Sequence, residues 1–198
     1  MFADTRLAFI GSGVMGEAII KGILAKGLID PQKVIVSDIL PDRVQELQRQ
    51  YGVRGTTDNT EAARFADILI LSVKPQVLGK VLRELRGQVA EDALVFSIVA
   101  GARIRTIAKG LGINAVIRVM PNTPAQIGAG MSVWTATPAV SARQREQAQA
   151  ILSALGEEAY VDEERYLDMA TAVSGTGPAY IFLMMEALTD AAVHLGFS

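Results

Sequence analysis

Gly11-Ser12-Gly13-Val14-Met15-Gly16, near the amino terminus, constrain this chain more than any other feature. They follow an apolar run, Arg6 to Ile10 (RLAFI), and precede a stretch in which Ile19, Ile20, Ile23 and Leu24 recur at helical spacing. A G-x-G-x-x-G pattern between a strand and a helix has a physical reading. The first glycine permits a tight turn, the second lets a pyrophosphate approach the backbone, and the third lets helix and strand pack closely. The phosphates then meet the free N–H groups and the positive end of the helix. The competing reading, a glycine-rich turn that binds nothing, lacks a reason for this strand and helix context.

The rest of the chain continues the alternation. Gly27 ends the first helix, and Lys33 to Ser37 (KVIVS) reads as a second strand because β-branched residues dominate it. Pro41 opens a helix carrying Val44, Leu47 and Tyr51, followed by a short strand near Val53 and a weak helix from Glu61 to Phe65. Ile68 to Val73 (ILILSV) has the unbroken apolar character of a strand covered on both faces. Then come a helix over Val77 to Leu85, a strand over Leu94 to Ile98, a helix over Ile104 to Leu111 and a strand over Ala115 to Val119. A turn-rich stretch after Pro121 leads to a strand around Ser132 to Trp134, a helix from Ser141 to Leu155 and a strand near Ala159 to Val161. The order predicts an α/β fold, a Rossmann-type doubly wound, mostly parallel sheet, occupying residues 1–163.

Residues 164–198 read differently, as the opening helices of an all-α domain. Glu163 and Glu164 begin a helix, Gly175 and Gly177 interrupt it, and Pro178 sits in the first turn of the next. From Tyr180 to Leu195 that last helix is apolar almost all round, with Glu186, Thr189, Asp190 and His194 as a thin polar stripe. Such a helix needs partners on nearly every side. The expectation is that they lie outside these 198 residues, in a domain cut short at Ser198.

Composition removes several chemistries. There is no cysteine and one histidine, which excludes thiolate metal sites, iron–sulfur clusters, cysteine nucleophiles and multi-histidine zinc sites. No metal site is expected. A net charge of −2 with scattered basic residues argues against a nucleic-acid surface, and no apolar run reaches the roughly 20 residues of a membrane span. With no signal-type segment before the first strand, a cytoplasmic setting is expected. The chemistry must come from a cofactor or from Asp, Glu, Lys, Tyr, Ser, Thr and the backbone.

Candidate ligand contacts fall at the ends of the predicted strands. Asp38 follows the second strand at the distance where an acidic side chain accepts hydrogen bonds from the adenosine ribose and repels a 2′-phosphate. Arg43 is near enough to turn toward such a phosphate, and a turn aspartate ahead of Pro41 is the alternative for Asp38. Ser72-Val73-Lys74-Pro75 ends a buried strand, with Lys74 placed either to meet a phosphate or to reach solvent. Asn122-Thr123-Pro124 faces the same crevice or serves only as a turn. Ser174-Gly175-Thr176-Gly177, just before a helix, offers a seat for a carboxylate or a corner with Thr176 as cap. His194 reads as a surface residue.

FIGSGVMGEAI, SVKPQ (Ser72 to Gln76), RVMPNTPAQIGAG (Arg118 to Gly130) and AVSGTGPAY (Ala172 to Tyr180) together resemble Δ1-pyrroline-5-carboxylate reductase, in order and along the whole chain. The resemblance implies hydride transfer from NADPH or NADH to the cyclic imine of pyrroline-5-carboxylate, giving L-proline. It implies cofactor contacts from Ile10, Gly11, Ser12, Gly13, Val14, Met15 and Gly16, and from Asp38, Asn59, Ser72, Val73, Lys74, Pro75 and Ala100. Glu164, Asn122 and the turn Ser174, Gly175, Thr176 and Gly177 would lie beside the substrate. Where such proteins often carry serine or threonine after the second strand, this chain has Asp38, which argues against strict NADPH use. The family's substrate-binding threonine belongs to a Gly-Gly-Thr loop that is absent here, and its members associate as homodimers or higher oligomers through C-terminal helices. No acid–base residue is assigned. These 198 residues alone are expected to bind dinucleotide and to reduce pyrroline-5-carboxylate poorly or not at all.

Two alternatives differ in class. A β-hydroxyacid dehydrogenase-like oxidoreductase would place a catalytic lysine four residues after the second glycine of the later glycine pair, where this chain has Ile181. A non-catalytic dinucleotide-binding protein would bind cofactor without forming proline.

Overall fold

The computed structural model describes residues 1–197. Strand β1 (Leu7–Ile10) and helix α1 (Val14–Ala25) are separated only by the glycine turn. The alternation continues through β2 (Val34–Ser37), α2 (Pro41–Tyr51), β3 (Arg54–Thr56), α3 (Asn59–Phe65), β4 (Ile68–Leu71) and α4 (Pro75–Leu85). After them come β5 (Leu94–Ser97), α5 (Ile104–Leu111), β6 (Val116–Met120), β7 (Gly130–Ala136), α6 (Ala142–Ser153) and β8 (Gly156–Tyr160). The strands form one eight-stranded sheet in the order β3-β2-β1-β4-β5-β6-β7-β8. Every pairing is parallel except β6 with β7. Order and direction agree with the doubly wound expectation.

Period-two alternation divides the buried strand residues between two apolar layers. Leu7, Phe9, Ile68, Ile70 and Phe96 face the side covered by α1, α2 and α6, where Ile19, Ile20, Leu47, Ile151 and Leu152 meet them. Ala8, Ile10, Leu69, Leu71 and Val95 face α3, α4 and α5, against Ala62, Leu78, Leu85, Ile107 and Leu111. Because both faces are covered, the strands read as continuous apolar runs rather than as alternating ones.

The structure shifts several expected elements. The third strand begins at Arg54, just past Val53, and the last covers Gly156–Tyr160 rather than residues near Ala159 to Val161. Both are edge strands of the sheet, and β8 (GEEAY) is half exposed and carries little apolar signal. β7 is longer than Ser132 to Trp134, and α3 starts at Asn59 behind an Asp58 cap that accepts the Thr60 amide. The two glycines of the last segment do not break the chain. Helix α7 (Arg165–Ala170) runs into a π-helical turn (Thr171–Gly175) and then into α8 (Gly177–His194).

Arg118 fixes where these last helices leave the sheet. It sits in β6 with its side chain only 3% exposed, and donates to Glu164 at 3.0 Å and Asp168 at 2.7 Å. The same Glu164 oxygen accepts the Ile104 amide at the start of α5, at 2.7 Å. A guanidinium buried in an apolar strand demands such partners. Beyond this anchorage, Tyr180, Phe182, Leu183, Met185, Leu188 and Val193 of α8 are all exposed.

Two substitutions test these constraints. Gly156 has φ +137°, and a Cβ there would lie 2.2 Å from the Gly130 carbonyl oxygen. Gly156→Ala is expected to cost about 2–4 kcal/mol in urea unfolding; an unchanged midpoint would contradict the strained junction. Arg118→Met is expected to cost about 1–3 kcal/mol, with faster amide exchange concentrated in Leu167 to Thr171 while β1 and β4 stay protected. Uniform acceleration across the sheet would show that Arg118 serves the core rather than the helical attachment.

Candidate active site

The carboxyl ends of β1, β2, β4, β5 and β6 lie along one edge of the sheet, because these strands run parallel and in register. The loops that leave them therefore converge on one crevice. At its centre Gly11 takes φ +84°, and a Cβ there would lie 2.9 Å from the Ser72 carbonyl oxygen. At Gly16 a Cβ would stand 3.0 Å from Ser72 Oγ. Ser72 Oγ in turn donates to the Gly11 carbonyl at 2.5 Å. Glycine is thus required at Gly11 for α1 to lie against the end of β4, and at Gly16 any side chain would press on the Ser72 hydroxyl. Around Gly13, by contrast, no neighbouring atom lies within 4 Å of a built Cβ. The second glycine faces open space directly before the first turn of α1, which is the cradle a pyrophosphate needs.

The remaining expected contacts fall into place unevenly. Val14 is 60% exposed at the start of α1, and Met15 packs partly into the core. Ile10 is fully buried, and its carbonyl accepts from the Ser72 amide and hydroxyl, so its side chain faces the core and not the crevice. Ser12 is also buried; its amide and hydroxyl both donate to Asp38 Oδ2, at 2.9 and 2.8 Å. The Ser37 hydroxyl donates to Asn59 Oδ1 at 2.8 Å, and Asn59 Nδ2 donates to Glu84 at 3.2 Å. Asn59 thereby ties the end of β2 to α4. Lys74 is the exposed residue preceding α4, Pro75 is its first helical residue, and Ala100 is exposed in the loop after β5.

Beside Asp38 lies an ionic network that sequence spacing alone does not display. Arg43 Nε donates to the Ser12 carbonyl at 2.9 Å, Nη1 to Glu46 at 2.7 Å and Nη2 to Glu17. Glu17 also accepts the Tyr51 hydroxyl at 2.8 Å. Burial pushes the Glu17 carboxyl up, but hydrogen bonds from Arg43 and Tyr51 and the guanidinium charge outweigh it and hold Glu17 below the usual range. Burial and the bond to Glu17 push the Tyr51 hydroxyl up to about 12, so it remains a donor. Ile39 and Leu40, 84% and 61% exposed, flank Asp38 as an uncovered apolar surface. An exposed Ile-Leu pair at a strand end is the signal that could have marked this surface.

At the other end, Asn122 joins two segments. Its Oδ1 accepts the Met131 amide at 2.8 Å, and its Nδ2 donates to the Ser174 carbonyl at 3.1 Å. This holds the Ser174 to Gly177 turn beside the carboxyl end of β6. Neither hydroxyl there is a free donor. Ser174 Oγ donates to the Ala170 carbonyl and Thr176 Oγ1 to the Thr171 carbonyl, at 3.2 and 2.6 Å. Thr176 makes no capping bond to α8, which corrects its reading as a helix cap. Glu164, expected near the substrate, is engaged with Arg118 and the Ile104 amide through Oε1. His194 is exposed and its Nδ1 lies 2.9 Å from the Asp190 carbonyl, far along α8. Among the described residues no group of acidic and histidine side chains is arranged to hold a metal ion, and no helix is long and apolar enough to cross a membrane.

Comparison with known proteins agrees with this geometry. Residues 6–101 match the family model NADP oxidoreductase coenzyme F420-dependent, and residues 164–198 match pyrroline-5-carboxylate reductase dimerisation. The chain is 46% identical to the pyrroline-5-carboxylate reductase of Synechocystis, over 96% of its own length and 71% of that protein. Among solved structures, a pyrroline-5-carboxylate reductase from Coxiella burnetii superposes with a TM-score of 0.90 at 37% identity, covering 98% of this chain and 72% of that one. A Plasmodium falciparum pyrroline carboxylate reductase with NADP bound does so with a TM-score of 0.87 at 30% identity, over 98% and 71% of the two chains. With the glycine cradle, the converging strand ends and the Asn122-held turn all present in a chain this similar to those proteins, it belongs to the pyrroline-5-carboxylate reductase family.

Proposed function

We propose that this chain reduces the C=N bond of 1-pyrroline-5-carboxylate to L-proline, the last step of proline synthesis, at the expense of NADH or NADPH. The observation that carries the reading is the shared edge: the open cradle at Gly13 and the turn at Ser174 to Gly177 lie along the same ends of the sheet. The nicotinamide, when bound, supplies a hydride to the imine carbon. Everything else is binding and orientation.

Gly11 to Gly16 and the first amides of α1 hold the pyrophosphate, and Ile39 and Leu40 offer an apolar wall to the adenine. Val73, Lys74, Pro75 and Ala100 border the path toward the nicotinamide end. Gly177 leaves open space beside the turn that faces the substrate carboxylate, Gly175 packs against Met120, and Asn122 sets the position of that turn.

In this reading residues 1–163 form the dinucleotide-binding unit and 164–198 begin a helical unit. The uncovered apolar residues of α8 then seat against helices of a second copy, as a homodimer or a larger homo-oligomer. Excluding water strengthens the interactions that orient the reacting atoms, and among the described residues the apolar side chains of α8 are uncovered.

Incubation with reduced dinucleotide and 1-pyrroline-5-carboxylate, followed by mass spectrometry of the products, tests the activity. Dinucleotide binding coupled to slow formation of L-proline is expected. Failure to bind, or oxidation of dinucleotide without proline, overturns the reading. Gly13→Val is expected to weaken dinucleotide binding by at least about tenfold while leaving the thermal midpoint in place, because its side chain enters space the protein does not use. Unchanged affinity in a fluorescence titration would remove the cradle from the site.

A further inference from the structure

The end of β2 decides which nicotinamide dinucleotide this chain takes, and both Asp38 and Arg43 there are already committed. Asp38 Oδ2 accepts two bonds from Ser12, and Oδ1 accepts the Leu40 amide at 3.1 Å. The carboxylate is therefore fixed against the glycine turn, where an adenosine ribose lies when pyrophosphate occupies the cradle. Ribose hydroxyls donate well to such a carboxylate. A 2′-phosphate in their place brings two further negative charges toward it.

A phosphate at that position needs a cation, and Arg43 is the first basic side chain after Asp38 in sequence. It is not available. Its three nitrogens bond to the Ser12 carbonyl, Glu46 and Glu17, and its side chain is 20% exposed. Turning it outward would leave Glu17, itself only 26% exposed, with Tyr51 as its remaining partner. It would also strip a bond from the Ser12 carbonyl, inside the turn that forms the cradle. The cost lies with Glu17, because removing one partner of a partly buried ion pair leaves the other charge uncompensated, whereas Glu46 is 56% exposed and is solvated either way. Asp42, the residue before Arg43, adds another negative charge to this rim.

We propose that this site selects NADH over NADPH, with Asp38 as the specificity-determining residue and Arg43 as a positioning residue locked by Glu17 and Glu46. The proposal rests on the dinucleotide reading of the cradle.

Equilibrium titration of the full chain with NADH and NADPH, followed by nicotinamide fluorescence and by calorimetry, tests it. NADH is expected to bind at least about tenfold more tightly, with a gap that narrows as salt screens the repulsion. Asp38→Ser is expected to weaken NADH and strengthen NADPH until the two lie within about threefold of each other. Asp38→Asn keeps an acceptor for Ser12, and guards against a variant that simply fails to fold; the same narrowing is expected from it. Glu17→Gln loosens Arg43 and should strengthen NADPH alone. Equal affinities in the unmodified chain, tighter NADPH, or an undiminished gap in a folded Asp38→Asn protein overturns the proposal and leaves the dinucleotide reading standing. Binding of neither cofactor overturns both.

Discussion

The seam between the first turn of α1 and the end of β4 governs the rest of the molecule. Gly11 and Gly16 are the two positions that bring the helix onto Ser72, and the Ser72 hydroxyl closes the seam by donating to the Gly11 carbonyl. A methyl group at Gly11 would meet backbone, which cannot yield as the end of a flexible side chain can. With the helix held this low, its first amides and Gly13 project over the sheet edge instead of over a face. The open space at Gly13 and the crowding at Gly11 are two results of one placement.

A partly buried arginine and a fully buried one frame the crevice that this placement creates. Arg43 ties the glycine turn to α1 and α2 on the β2 side, and Arg118 ties the later helices to β6 and α5 on the other. Each satisfies its donors with more than one acceptor, as desolvated guanidinium groups must. The electrostatics of the site are thus mostly internal: its charges hold backbone in position, and fewer are left to meet a ligand directly.

Much of this is legible in the sequence because burial on both faces writes itself as uninterrupted apolar residues. RLAFI, KVIVS and ILILSV each mark a central strand, and the glycine hexad marks the turn between strand and helix. Edge strands leave a weaker trace. GEEAY at β8 has few apolar residues because one side of it is never covered. Asp38 is legible as a residue at the end of β2, yet its bonds to Ser12 depend on how the glycine turn folds back, which spacing does not contain. Arg118 is conspicuous as a charge inside VIRVM, but its acceptors lie 46 and 50 residues downstream, and only the tertiary fold brings them to it. Thr176 looks like a cap because a hydroxyl before a helix usually is one. Here it is spent on the Thr171 carbonyl, since the preceding residues remain helical in a wider form.

That wider turn has a consequence for how the chain tolerates changes of length. A π-helical turn takes up an extra residue relative to the α-helices on either side, so Arg165–Ala170 and Gly177–His194 do not share one helical phase. Adding or deleting a single residue between Thr171 and Gly175 would rotate every side chain of α8 by about 100° about its axis relative to the sheet. The local backbone hydrogen bonds could re-form around such a change. The surface presented to anything that docks on α8 could not, so this short segment must keep its residue count even where its residue types are free to vary.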